Sequence, residues 1–106
     1  MVSSIQFLSR QHGFETWGNF PHETQKMEKL IADSGAKGVI FLSGDRHIAE
    51  WSRKEVEGLP YPLVDFTSSG LTHVYESFKA EENDFRVGKV TNQKNFGVLR
   101  FDFNNK

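Results

Sequence analysis

The sequence predicts a single domain over residues 1–106, of the α/β (α+β) class and mostly β, with one main helix at about residues 20–34. An apolar run at residues 39–42 is short and rich in β-branched and aromatic side chains, which is typical of a buried strand. Apolar residues recur at helical spacing over residues 27–32, and further strand-like stretches follow. A chain of 106 residues can bury about two-thirds of its unfolded surface.

The first half of the chain is predicted to form a strand, a helix and a second strand. Residues 2–8 are the first strand. Asn19 is a suitable helix N-cap, Pro21 suits an early helical position because its φ is fixed, and Gly35 ends the helix. The strand at residues 39–42 follows and stops at a Ser-Gly pair, where the chain can turn. This order predicts a βαβ-like unit.

The next strand is predicted within residues 48–55. Ala49 and Trp51 share one face of this strand, and Glu50 and Ser52 share the other, because alternate side chains of a strand point to opposite faces.

The remaining elements are shorter. A strand at residues 63–66 leads into a small polar turn at residues 67–70, and residues 71–84 are predicted as a surface loop. Within that loop we expect one helical turn near Tyr75 to Ala80 and a solvated acidic tip, the Glu-Glu-Asn-Asp sequence at residues 81–84. The last two strands, at residues 86–91 and 96–103, form a predicted hairpin that places Leu99, Phe101 and Phe103 on one face.

Composition excludes several classes of function. The net charge is −1, from 13 basic and 14 acidic residues, so no electrostatic footprint for nucleic acid is present. The absence of cysteine excludes disulfides and thiolate metal sites. No apolar run approaches the roughly 18 residues that a membrane span needs, and the N-terminal pattern is not that of a signal peptide. We expect a soluble chain, and the compartment stays open.

An Asp-x-His pattern directly follows the strand at residues 39–42. If the backbone stays extended there, Asp45 and His47 point the same way and converge on one point, which is a metal-ligand arrangement. Polar residues at the carboxyl end of a buried strand occupy the usual site position of α/β proteins. The alternative is a turn in which Asp45 caps its own loop and His47 is solvated.

Other residues with reactive side chains have weaker indications of function. His22 is expected in the first helical turn, facing solvent, and His12 in a loop that leads toward Glu15 and Trp17. The hydroxyl residues at 67–70 lack the Gly-x-Ser-x-Gly pattern of a nucleophilic serine, so we interpret them as turn residues.

Four blocks of the sequence together resemble the PhoD-like alkaline phosphatases. They are ETWGNFPHE at residues 15–23, FLSGDRH at 41–47, TSSGLTH at 67–73 and NFG at 95–97. The resemblance covers nearly the whole chain, which is similar to the C-terminal third of the family's catalytic domain. It implies part of a metallophosphoesterase-type β-sandwich with a dinuclear metal centre at the strand ends. Members of the family are often secreted.

The resemblance implies roles for three residues, Asp45, His47 and Arg46, and the position of a fourth, His73, indicates another. The family's Gly-Asp-x-His motif is matched at residues 44–47, so Asp45 and His47 are expected as the last ligands of the metal centre and as its catalytic residues. Arg46 lies within the motif and is a candidate for binding the phosphate, although on an extended backbone it points away from its neighbours. His73 closes the turn at the tip of the sheet and is a second candidate for phosphate contact or for support of a ligand.

The family's earlier ligands have no counterpart in this sequence. Hydrolysis at two metals, about 3.5–4 Å apart, needs several bridging and terminal ligands, and one Asp with one His is too few. The two residues suit a single weakly held ion such as iron, manganese, zinc or calcium.

We therefore expect the C-terminal part of a metal-dependent phosphatase acting on phosphate mono- or diesters, inactive alone. Its partners are a phosphate ester substrate and either a missing N-terminal portion of the enzyme or a second copy of the chain. The rival hypothesis is a stand-alone, self-associating, non-catalytic α/β module with at most a weak metal site. The persistence of Phe41, Phe96, Phe101 and Phe103 favours a covered sheet, either within a larger protein or in a dimer.

Overall fold

A computed structural model describes residues 1–79 and 81–104 of the chain. One helix, α1 (Pro21–Ser34), precedes four strands, β1 (Ile40–Ser43), β2 (Ala49–Lys54), β3 (Leu63–Ser68) and β4 (Arg86–Thr91). The strands form a mixed sheet in the order β1-β3-β2-β4. The α+β class and the single main helix are confirmed. None of the helices in the described residues has the length and apolar character that crossing a membrane requires.

Helix α1 begins and ends where its sequence requires. Pro21 occupies the first turn, where its missing N–H costs no hydrogen bond. Gly35 follows the last residue with φ of 70°, a left-handed conformation that glycine adopts without a steric penalty. The predicted N-cap is wrong, because Asn19 ends a short 3₁₀ helix (Trp17–Asn19) and the cap position belongs to Phe20, which makes no side-chain capping bond.

The sheet combines one parallel pair with two antiparallel pairs. β1 runs parallel to β3, with Leu42 opposite Phe66 and Ser43 opposite Thr67. β2 runs antiparallel to both β3 and β4. β1 and β3 therefore end side by side, and the loops that follow them meet at one edge of the sheet.

Residues 2–8 do not form the predicted strand. Only Val2 makes a β-bridge, parallel to Leu42 in β1. Further along, the backbone N–H groups of Phe7 and Leu8 donate to Oδ2 of Asp65, at 2.7 and 2.9 Å. Because a buried carboxylate takes these two amides, they are not free for a strand ladder, and the first strand of the expected βαβ-like unit is absent.

The expected hairpin is also wrong, since β4 pairs with β2 and residues 96–103 form no strand. Gly97 packs closely against the Phe66 ring, and a Cβ added at this position would lie 2.5 Å from a ring carbon. The side chains of Phe96, Phe101 and Phe103 are mostly exposed.

Two smaller predictions around β3 need correction. β3 continues through Ser68, so the polar turn starts later than residue 67. In residues 71–79 one hydrogen-bonded turn, from the Phe78 N–H to the Tyr75 carbonyl at 3.2 Å, replaces the helical turn. The last residue of that predicted turn, Ala80, lies outside the described residues.

The apolar core joins α1, the N-terminal segment and one face of the sheet. Its buried members are Phe7, Leu8, Ile31, Phe41 and Leu63. The Phe7 and Phe41 rings stack with centroids 4.2 Å apart. Each such side chain contributes about 1.5–3 kcal/mol by leaving water. This core fixes the carboxyl end of β1, from which the candidate site extends.

Candidate functional site

The candidate site lies in two loops that follow the parallel strands β1 and β3. One loop, residues 44–47, follows β1, and the other, residues 69–73, follows β3. The register of the two strands brings these loops together, and the His47 N–H donates to Oγ of Ser69 at 3.0 Å. The structure therefore brings Asp45, His47 and the loop that carries His73 to one edge of the sheet.

The backbone of the Asp-x-His turn is not extended, contrary to the sequence prediction. Asp45 and His47 have φ of 73° and 55°, in the left-handed region that side chains other than glycine rarely adopt. The turn is held from both sides, since the His47 carbonyl accepts a hydrogen bond from the Tyr75 N–H at 2.9 Å. Non-glycine residues kept in this conformation cluster at functional sites.

Both predicted ligands face the same cleft in spite of the different backbone. The cleft has a volume of about 360 Å³, and Asp45, Arg46 and His47 line it together with residues of two other loops. Asp45 and His47 are exposed, whereas Arg46 between them is buried. The turn therefore presents a carboxylate and an imidazole to solvent in one cleft.

His73 lies near His47, in the loop that follows β3. The two imidazole rings have centroids 6.3 Å apart. The His73 Nδ1 is 2.9 Å from Oγ1 of Thr72, within hydrogen-bond distance, and the His73 side chain is exposed. It is therefore accessible to a ligand bound next to His47.

The Arg46 guanidinium points into the protein. Nη2 of Arg46 forms an ion pair with Glu81, and the guanidinium carbon lies 4.5 Å from the Phe14 ring centroid and 5.5 Å from the Tyr75 centroid. Among the described residues, its Nε has no hydrogen-bond partner. Glu81 was expected on a solvated tip, but its side chain is only 17% exposed because it pairs with this arginine.

A buried polar network near this turn was not found by sequence reasoning. Glu50 accepts hydrogen bonds from Nε2 of Gln6 at 2.6 Å and from Nε of Arg86 at 2.8 Å. The Gln6 Oε1 lies 3.0 Å from Nε2 of His12. The alternation in β2 correctly placed Glu50 and Trp51 on opposite faces of the strand. It did not indicate that the face with Glu50 is the buried one.

The surroundings of His12 favour its neutral form. Burial lowers the pKa of His12 below its usual value, and the nearby positive charge of Arg46 lowers it further, against opposing effects of Glu81, Glu50 and Asp45. His12 is therefore part of the buried network rather than of the solvent-facing cleft. His22 is exposed on α1, as predicted.

Asp65 organises the centre of the sheet rather than the cleft. Its Oδ1 accepts from the Ser43 hydroxyl at 2.6 Å, in addition to the two backbone amides on Oδ2. Burial raises the pKa of Asp65 even though these hydrogen bonds act in the opposite direction. Its neighbour Thr67 bonds Ser43 and Gln6, which accounts for the hydroxyl of Thr67 without any nucleophilic role.

The cleft is lined by two side chains of the types that commonly bind metals, Asp45 and His47. Across residues 1–79 and 81–104, no three His, Cys, Asp or Glu side chains are grouped closely enough to hold a metal ion. Asp45 and His47 supply an oxygen and an imidazole nitrogen, which suit a hard or borderline ion but leave most of its coordination shell to other donors.

Comparisons with protein-family models, with curated proteins and with solved structures find no match for this chain.

Proposed function

We propose that this chain supplies the last two ligands, Asp45 and His47, of the dinuclear metal centre of a PhoD-like phosphatase that hydrolyses phosphate mono- or diesters. The observation that carries the proposal is that both side chains are exposed in one cleft at the carboxyl ends of two parallel strands. Both residues also have a left-handed backbone conformation. The Gly-Asp-x-His motif and its position in the fold point to the same chemistry.

The metal chemistry requires more donors than the cleft contains. A pair of ions supplies a hydroxide nucleophile and neutralises charge on the phosphoryl oxygens. In this proposal the other ligands come from residues outside this sequence or from a second copy of the chain. The chain alone holds a single ion weakly, with iron, manganese, zinc and calcium as the candidates, and is inactive.

His73 and Arg46 have different roles in the proposal. His73 is exposed beside His47 and contacts a phosphoryl oxygen of the substrate. The charge of Arg46 is paired with Glu81, so this arginine holds the turn in place rather than binding the phosphate directly. In this assignment the main phosphate contact is made by His73, in the loop that follows β3, and not by Arg46 of the motif.

Metal binding by the purified chain tests the proposal. We expect one weakly bound Zn²⁺ by isothermal titration calorimetry, with binding abolished in Asp45→Asn and in His47→Gln. His22→Gln is the matched control, since His22 is exposed on α1 away from the cleft residues, and it should bind as the wild type does. Zinc binding that is equal in all four proteins would contradict the assignment of the two ligands.

Hydrolysis of an aryl phosphate with added manganese, zinc, iron or calcium tests the second part of the proposal. We expect no turnover by this chain alone, because two ligands cannot hold a metal pair. Metal-dependent turnover that disappears in Asp45→Asn would show that the chain builds a complete centre, and it would overturn the requirement for further donors.

A non-catalytic, self-associating module is the second candidate function. It is favoured by four exposed apolar side chains in one short segment, those of Phe96, Val98, Phe101 and Phe103. Sedimentation equilibrium discriminates between the two candidates. A stable dimer without zinc binding favours the module, whereas zinc binding that depends on His47 favours the phosphatase half-site.

A further inference from the structure

A second, apolar cleft lies open on the face of the sheet that carries Phe66. It has a volume of about 290 Å³. Its apolar lining comes from β1, from β3 and from the segments that follow β3 and β4: Leu42, Phe66, Leu71, Phe96 and Leu99. A cavity of about 150 Å³ with an apolar lining is large enough to bind benzene. This cleft therefore has room for an aromatic side chain.

The segment that leaves this cleft carries two aromatic side chains into solvent. Gly97 packs against the Phe66 ring, so the segment is held on the sheet at this point. Beyond Leu99, every side chain through Phe103 is exposed. The Phe101 and Phe103 rings are nearly parallel, with centroids 6.1 Å apart. Alternate residues of an extended strand are separated by about 6.6 Å and lie on the same face, so the two rings are already arranged as in a strand.

The backbone of this segment is available for strand pairing. Within the described part of the chain, no backbone group of residues 96–101 is hydrogen-bonded to another backbone group. A row of such groups on an extended chain is a template for pairing with a further strand. The alternation of Leu99, Phe101 and Phe103 gives the paired segment one apolar face.

The charges on the opposite face of the segment indicate that a second copy of the same segment is its partner. Antiparallel pairing centred on Phe101 places Arg100 of each copy opposite Asp102 of the other, which gives two favourable cross-strand pairs. Centring the pairing one residue away would instead oppose two arginines or two aspartates. The Asp102 carboxylate also accepts the Asn104 N–H at 3.0 Å, and since a carboxylate accepts up to about four hydrogen bonds, this bond is compatible with a guanidinium contact.

We propose that two copies of the chain pair antiparallel over residues 99–103, about a twofold axis at Phe101, and that Phe103 of each copy enters the apolar cleft of the other. In this register Phe103 lies opposite Leu99, which lines the cleft. The assembly stops at two copies, because each copy supplies one aromatic side chain and one cleft. The proposal specifies the contact of the self-associating module and does not depend on metal binding.

Sedimentation velocity without metal, from about 10 µM to about 1 mM protein, tests the proposal. The contact is small, so we expect a dissociation constant of about 100 µM, with an exposed Phe103 in the monomer. Phe103→Ser should raise this constant at least about tenfold, since it removes the side chain that fills the cleft. Phe20→Ser is the matched control and should leave it unchanged, because Phe20 is also exposed but does not line this cleft.

Charge reversal tests the register. Arg100→Asp and Asp102→Arg each oppose two like-charge pairs in the dimer and should raise the dissociation constant roughly tenfold. The double variant restores both pairs in reversed order and should return the constant to the wild-type value. Lys37→Asp, at an exposed side chain, changes the net charge as Arg100→Asp does and should have no effect. A double variant as weak as the single variants would contradict the proposal.

Disulfide cross-linking tests the position of the twofold axis. The chain has no cysteine, so one can be placed at a chosen position. Residue 101 lies opposite itself in the dimer, and opposite Cβ atoms of paired strands are about 4.5–5.5 Å apart, close to disulfide distance. Phe101→Cys should therefore form linked dimers with oxidised glutathione. Val98→Cys, at a similarly exposed position that lies opposite residue 104, should not, and equal cross-linking of the two variants would overturn the proposal.

The outcomes also separate this proposal from the proposed function. A chain that is monomeric at about 1 mM overturns both the dimer contact and the self-associating module, and it leaves the two metal ligands standing. A dimer that Phe103→Ser does not weaken has its contact elsewhere, which overturns this proposal and leaves the module standing.

Discussion

The two faces of the sheet differ in burial and in polarity. The face covered by the rest of the chain carries many polar side chains, whereas the face open to solvent carries large apolar ones. The covered face carries many polar side chains in its strands: Ser43, Glu50, Ser52, Asp65 and Thr67 are all buried. The other face carries large apolar side chains that are partly or largely exposed, among them Trp51, Phe66 and Val87. Burial here follows what packs on each face rather than the polarity of its residues.

The covered face tolerates its polar groups because they bond to one another. Glu50 bonds both Gln6 and Arg86, and the Ser43 hydroxyl lies 2.6 Å from Asp65 and 2.8 Å from Thr67. A buried polar group with partners costs little, whereas the loss of one partner leaves the other unpaired in a medium of low polarity. The network therefore makes the covered face sensitive to substitution.

The open face has only partial cover. The Trp51 and Phe66 rings stack with centroids 4.2 Å apart, yet Trp51 is 46% exposed. Gly97 covers part of Phe66, and the neighbouring Phe96 is mostly exposed. Since these apolar groups gain only part of the free energy of full burial, substitutions on this face should cost less than those on the covered face.

The largest expected effect is that of removing Asp65 from the covered face. Asp65→Ala leaves the backbone amides of Phe7 and Leu8 without an acceptor and removes one of the two hydrogen-bond partners of the Ser43 hydroxyl. We expect a loss of about 3 kcal/mol or more in the free energy of unfolding, measured by urea denaturation. Glu82→Ala, at an exposed carboxylate, is the control and should change the value by no more than about 0.5 kcal/mol. Equal effects of the two substitutions would remove the distinction between the faces.

A smaller effect is expected on the open face. Trp51→Thr removes the ring stack with Phe66 from a half-exposed position, and we expect a loss of about 1–2 kcal/mol in the same measurement. Phe103→Thr, at a side chain that is 80% exposed, should cost less than about 0.5 kcal/mol. If a second copy covers the open face, the Trp51 effect will increase with protein concentration, which would support the self-associating module.

The finest test concerns the pH dependence of the covered face. Because burial and Arg46 lower the pKa of His12 below 6.5 in the folded chain, the unfolded chain takes up its proton first as the pH falls. The contribution of His12 to stability is therefore complete above pH 6.5 and is lost as the pH falls toward the lowered value.

Denaturation at about pH 8 and about pH 6 measures this loss. His12→Gln should make the difference in unfolding free energy between the two conditions smaller. His22→Gln should leave the difference unchanged, since His22 is exposed. The same dependence in all three proteins would show that other groups cause it.

Local patterns were sufficient for the regular elements. Pro21 and Gly35 limit the helix because one lacks an N–H and the other accepts a left-handed backbone. The apolar run before Ser43 formed β1, and the alternation around Trp51 correctly separated the two faces of β2. These features depend on neighbours only a few residues apart, which is why the sequence predicts them.

Contacts between distant residues overturned the other predictions. Asp65 takes the backbone amides of Phe7 and Leu8, so a β-prone segment forms no strand. Arg46 pairs with Glu81 across 35 residues, so an acidic run expected in water is partly buried. No local pattern reports such partners, because each residue alone has the ordinary preferences of its type.

The candidate site combines both kinds of information. The sequence by itself determined that an Asp-x-His turn follows a buried strand, because a short apolar run and a Ser-Gly stop are local signals. Only the tertiary structure decided that Asp45 and His47 share a cleft with Phe14 and Tyr75, and that Arg46 points inward. The physical reason is that the turn's left-handed backbone and the position of these two rings depend on hydrogen bonds and packing between loops far apart in the chain.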